Sequence, residues 1–140
     1  MRYLLDTCVI SEVTKARPAA KVLTWLDVQD EMSLLLSVIT LGEIQKGISK
    51  LPTSRKRRQL QQWLDQELPR RFLGRILVID HEVAIRWGTL SGRAEQQGRP
   101  LPVLDGLLAA TALVAGCILV TRNTPHVEAT GILLFDPWSS

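Results

Sequence analysis

Apolar residues along this chain come in short unbroken runs and in longer helical stripes, and the two kinds alternate. Arg2-Tyr3-Leu4-Leu5 reads as a strand that stops at Asp6, and Thr7 to Val13 as one or two helical turns. Pro18 opens an amphipathic helix through Val22, Leu23, Trp25, Leu26 and Val28. Met32 to Leu36 is a second strand, with Ser37 placed to cap the helix that carries Leu41, Ile44, Ile48 and Leu51 on one face. Ser54 caps a further helix running to about Leu68, with Leu60, Trp63, Leu64 and Leu68 inward. Ile76 to Ile79 is a third strand, ended by Asp80, and Glu82 to Gln97 a helix closed by Gly98. Pro102 opens the most apolar helix, to Ala115, with Gly116 as its C-cap. Ile118 to Val120 and Ile132 to Phe135 are the last two strands.

Strands that are apolar throughout, separated by helices, are the pattern of a mostly parallel sheet covered on both faces. The expected fold is an α/β/α sandwich. With 140 residues the expectation is one domain over residues 1–140.

Composition narrows the class. A 46% hydrophobic and 22% charged chain is ordinary for a globular protein. The longest uncharged stretch, Gly106 to Thr121, is shorter than the roughly 18–20 apolar residues of a membrane span. The N-terminus reaches Asp6 too early for a secretory signal, so a cytoplasmic location with no membrane partner is expected. Cys8 and Cys117, each inside an apolar run, read as buried reduced thiols. The net charge of +3 is concentrated: Arg55, Lys56, Arg57 and Arg58 form a block suited either to an RNA backbone or to a solvated helix face.

Ligands of open parallel sheets bind beyond the carboxyl ends of the strands. Asp6 stands at such an end, Asp105 begins the helix feeding the fourth strand, and Thr121, Arg122 and Asn123 leave that strand. Glu43 sits beside the apolar stripe of its helix, where a carboxylate needs a partner. Each acid alone has a structural explanation, Asp6 as an N-cap and Asp105 as a first-turn acid. Three acids converging on one sheet edge, as a ligand set of carboxylates with neither Cys nor His, suit a hard divalent cation, Mg²⁺ or Mn²⁺.

Four stretches carry a resemblance. Leu4-Leu5-Asp6-Thr7-Cys8-Val9-Ile10-Ser11-Glu12, Ser37-Val38-Ile39-Thr40-Leu41-Gly42-Glu43-Ile44-Gln45-Lys46-Gly47, Asp105-Gly106-Leu107-Leu108-Ala109-Ala110-Thr111-Ala112 and Val120-Thr121-Arg122-Asn123 stand in the order found in PIN-domain toxins. The chain thus resembles the VapC-like ribonucleases of type II toxin–antitoxin pairs. The resemblance implies an Mg²⁺-dependent endoribonuclease, with Asp6 and Asp105 binding the metal and Glu43 binding it or orienting its water. Thr121 and Asn123 would position water or phosphate, and Glu12 and His126 are candidates for a second site. It also implies a DNA-binding antitoxin as partner, an RNA substrate and a homodimer.

Two positions depart from the family pattern. Cys8 stands where Asn is usual, and His126 stands where many members carry an acid, with Asn123 neutral as well. His126 either reaches the site or is turned to solvent by Pro125. A catalytically impaired module that binds RNA or a protein partner is the alternative from another class. Aspartyl phosphotransferases and receiver domains need a Lys from the later chain, and none follows Lys56.

Overall fold

A computed structural model describes residues 1–139. Tyr3–Leu5 (β1), Leu34–Ser37 (β2), Ile76–Leu77 (β3), Ile118–Val120 (β4) and Leu134–Phe135 (β5) form one sheet in the order β3-β2-β1-β4-β5. All four pairings are parallel. Consecutive strand residues point to opposite faces, and that alternation sorts the core into two layers. Leu5, Leu34, Leu36 and Val120 pack with Val9, Val22, Ile44, Leu68 and Phe72 on one face. Leu4, Leu35 and Leu119 pack with Val83, Leu90, Leu108, Ala109 and Ala112 on the other. The first layer is built from Thr7–Glu12 (α1), Ala20–Val28 (α2), Val38–Ser49 (α3), Arg55–Gln62 (α4) and Leu68–Arg71 (α5). His81–Gln96 (α6), Val103–Ala115 (α7) and Thr124–Val127 (α8) form the second. The expected α/β/α sandwich is the observed fold.

The local signals act where the sequence places them. Ser37 accepts from the Ile39 amide, Ser54 from that of Arg57 and Asp80 from that of Val83. Gly116 ends α7 at φ 68°, a backbone region that costs other residues about 1–2 kcal/mol. Among the described residues no helix is long and apolar enough to cross a membrane.

Several boundaries move inward. Met32 belongs to a single 3₁₀ turn, Glu31–Ser33, and is exposed, so β2 begins at Leu34. Val28 and Val78, expected inward, are 72% and 60% exposed: Val28 is the last residue of α2, and Val78 lies just past the end of β3. The basic helix neither stops at Leu68 nor stays α-helical. It widens into a π turn over Trp63–Glu67 and continues as α5 through Pro69. Proline has no N–H for the carbonyl four residues back and its ring crowds that carbonyl. Widening the preceding turn, where the Leu68 amide donates to Trp63, removes the conflict.

Buried Arg75 fastens the start of β3. Its guanidinium donates to the backbone carbonyls of Glu31, Leu34 and Arg71, pairs with the Glu31 carboxylate at 2.9 Å, and lies over the Phe72 ring.

In the order β3-β2-β1-β4-β5 the chain winds outward from β1 in one direction and resumes on its other side with β4. The crevice at that reversal opens at the carboxyl ends of β1 and β4. Asp6 and Thr121 are the residues found there.

Candidate active site

Asp6 follows β1 directly and caps α1, with the Thr7 amide donating to Oδ1 at 2.7 Å. The register pairing Leu5 with Val120 brings Thr121 alongside, and its hydroxyl donates to Asp6 Oδ2 at 2.7 Å. Asp6 is therefore both a cap and a site residue. Only 6% of it is exposed. Burial pushes its carboxyl pKa up, the bonds from Thr121 and Thr7 oppose that, and the charge of Asp105 raises it again. Asp6 and Asp105 are thus close enough to repel.

Asp105 lies in the first turn of α7 and is half-buried. Its Oδ2 is 2.9 Å from Nδ1 of His126, whose side chain is 56% exposed. Pro125 does not turn the segment outward. It occupies the first turn of α8, where its missing N–H costs nothing, and that turn carries His126 to Asp105.

Glu43 lies in the second turn of α3. Its Oε1 accepts from the Thr7 hydroxyl at 2.6 Å, and Thr7 also lies 3.2 Å from the Thr40 hydroxyl. Thr7 is the residue that reading by acids alone misses. Its position directly after Asp6 is the available signal. The carboxylates are drawn toward one edge, yet each is engaged by a protein group. Among the described residues no three His, Cys, Asp or Glu side chains stand together at metal-ligand spacing.

The remaining candidates separate. The Asn123 amide donates to the Thr121 hydroxyl at 2.9 Å, while its side chain is exposed and does not cap α8. Glu12 is held by its own end of α1 and the segment after it. It is buried, accepts from the Ala19 amide at 2.8 Å and pairs with Lys15 at 2.9 Å, joining α1 to the entry of α2. The bonds from Lys15 and Ala19 hold its carboxyl pKa below the usual range. Both oxygens of the Glu12 carboxylate are thus engaged by Ala19 and Lys15.

Cys8 is half-buried, and its Sγ lies 3.7 Å from Asp6 Oδ2 and 4.0 Å from the Thr121 hydroxyl. Burial and the charge of Asp6 push the thiol up to about 11, so it is neutral and unreactive near pH 7. Cys117 is buried and free, as expected.

The basic block divides as well. Arg55, Lys56 and Arg58 are exposed, whereas Arg57 donates to the Leu51 carbonyl at 3.0 Å and closes the turn after α3. Lys56 and Lys15 line a cleft of about 280 Å³ beside Glu43, whose wall also includes Thr7, Ser11 and Trp63.

Comparison with known proteins gives this edge a context. The PIN domain family matches residues 3–131. The VapC ribonuclease Y4jK of Sinorhizobium fredii is 36% identical over 135 residues, covering 96% of each chain. Toxin FitB of Neisseria gonorrhoeae is 35% identical, covering 96% of this chain and 97% of its own. A solved structure of FitAB bound to an IR36 DNA fragment superposes with a TM-score of 0.91 at 34% identity, covering 97% of this chain and 95% of that one. With sequence and fold agreeing over nearly its full length, the chain belongs to the PIN domain family.

Proposed function

We infer that this chain is an endoribonuclease toxin of a type II toxin–antitoxin pair, which hydrolyses RNA phosphodiester bonds with a divalent metal, Mg²⁺ or Mn²⁺. The observation that carries the reading is the Asp6–Thr121 hydrogen bond, set at the sheet's reversal point with the charge of Asp105 beside it.

The residues fit such a metal. Asp6 and Asp105 are hard oxygen donors whose mutual repulsion a divalent cation would relieve, and Asp6 is already desolvated. When bound, such an ion would supply a water of lowered pKa and offset the charge that develops on the leaving oxygen. Asp6 and Asp105 would hold the ion. Glu43 would bind the ion as well or orient the attacking water and accept its proton, with Thr7 fixing its carboxylate. Thr121 holds the Asp6 rotamer, and Asn123, two residues on, would position water or phosphate. His126, through Asp105, is the candidate for tuning a second cation position. Arg55, Lys56 and Arg58 provide a backbone-binding surface, which the 280 Å³ cleft connects to Glu43 through Lys56.

The relatives suggest the setting: one is named a VapC ribonuclease, another a toxin, and FitAB is solved on DNA. The corresponding partner here is a DNA-binding antitoxin that silences a cytoplasmic nuclease, and the toxin itself is a homodimer forming one PIN domain per chain.

The test is direct. The purified chain should cut RNA with Mg²⁺ or Mn²⁺, leave 5′-phosphate and 3′-hydroxyl ends, and stop when chelator is added. Its expression should arrest growth unless the antitoxin is co-expressed. A broad RNA panel left intact with both metals would overturn the nuclease.

A further inference from the structure

A second cleft, about 480 Å³, opens on the side of Asp105 away from the basic block, between the end of α6, the loop before α7, and α8. That volume lies within the range of small-ligand sites. Its lining has two characters. Leu90, Leu101 and Pro125 supply apolar surface, while Arg93 and Arg99 stand against a single acid, Glu128. Among the described residues neither arginine forms an ion pair, and both are exposed. His126 belongs to this lining and also contacts Asp105, so the cleft is continuous with the carboxylate edge.

We propose that this cleft binds a nucleotide of single-stranded RNA flanking the phosphate at Asp6 and Asp105. An unpaired nucleotide offers a flat apolar base and a phosphate. Apolar surface beside unpaired guanidinium groups matches both: a base packs on Leu101 and Pro125, and the phosphates meet Arg93 and Arg99. A polynucleotide held at Asp105 must continue in both directions, and His126 marks where one of them enters the cleft. The proposal rests on the ribonuclease reading and assigns the edge a second contact, separate from Arg55, Lys56 and Arg58.

Binding of a fluorescein-labelled single-stranded RNA, measured in chelator at several salt concentrations, tests it without cleavage. Arg93→Ala/Arg99→Ala should weaken binding about tenfold and make the plot of log affinity against log salt shallower by about 1.4, the contribution of the phosphates on the 5′ and 3′ sides of the bound nucleotide. Arg70→Ala/Arg86→Ala removes the same charge from exposed positions outside the cleft. It should change affinity by less than about twofold. Equal losses in the two double variants would overturn the cleft in favour of general charge. So would wild-type RNA affinity in the first variant, including the case where only antitoxin binding is lost and the cleft proves a protein site. RNA held through this cleft yet never cut with Mg²⁺ or Mn²⁺ would remove the nuclease and leave the cleft. Cutting by a chain whose RNA affinity ignores Arg93 and Arg99 would remove the cleft alone.

Discussion

Thr7 Oγ1 donates to Glu43 Oε1 at 2.6 Å. The residue directly after the first aspartate therefore sets the carboxylate of a helix more than thirty positions later, as the 36-residue separation shows. Thr7→Val keeps the shape and removes the donor. Cleavage should fall roughly 10- to 100-fold, the usual cost of losing such a support, with melting temperature little changed. Thr7→Ser should restore most of the rate in the same assay.

Neutralising the repelling pair should separate activity from stability. Asp6→Asn and Asp105→Asn are expected to abolish cleavage while the fold survives. The pKa of Asp6 is raised in the folded chain, so its ionisation disfavours folding as pH rises through that value. Metal-free Asp6→Asn should therefore melt above wild type at neutral pH, and the gap should close in acid. Calorimetry across pH measures it, and a lower melting point at every pH would show that capping dominates.

Glu12 has the opposite sign. Its folded pKa is lowered by Lys15 and the Ala19 amide, so its contribution is present above the ordinary glutamate range and lost as pH falls through the folded value. Glu12→Gln should cost about 1–2 kcal/mol at neutral pH and leave cleavage intact. Denaturant midpoints should converge with wild type in acid.

His126 occupies an oxygen of Asp105. Removing it in His126→Ala should lower the metal concentration needed for half-maximal cleavage. His126→Asp, which adds a charge, should lower it further, on the order of tenfold. Superimposable metal titrations for the three proteins would make the imidazole a spectator.

The four basic residues after Ser54 should not behave alike. Replacing Arg55, Lys56 and Arg58 with Ala should weaken RNA binding and flatten its salt dependence without affecting melting. Arg57→Ala should instead destabilise the chain by about 1–2 kcal/mol, because it leaves the Leu51 carbonyl without its charged donor. Filter binding and thermal melts read the two effects separately.

Asp6 and Thr121 are legible in the sequence because a parallel strand buried on both faces is a continuous apolar run, and the first polar residue beyond it marks the end. Gly116 and Ser37 are legible for equally local reasons. What periodicity cannot supply is contact between elements. Nothing near Glu43 announces Thr7, and nothing near Glu12 announces the Ala19 amide it caps. The segment Thr124–Val127 is one turn long, too short for a hydrophobic stripe, so His126 reaching Asp105 has no signature beyond Pro125 in its first turn. Val28 and Val78 mislead because β-branched residues at the margin of a core look the same as those inside it.

The two residues joined at the reversal point, Asp6 and Thr121, are 115 positions apart in the chain, yet they follow strands that are neighbours in the sheet. Local helices need only nearby chain, but this pairing waits on all the residues between the two. A nascent chain emerging from the ribosome has made Asp6, α1 and Glu43 long before Thr121 is translated. Until then Asp6 has no β4 beside it and the edge is incomplete. The order of synthesis thus delays assembly of the site until β4 and Thr121 have been made.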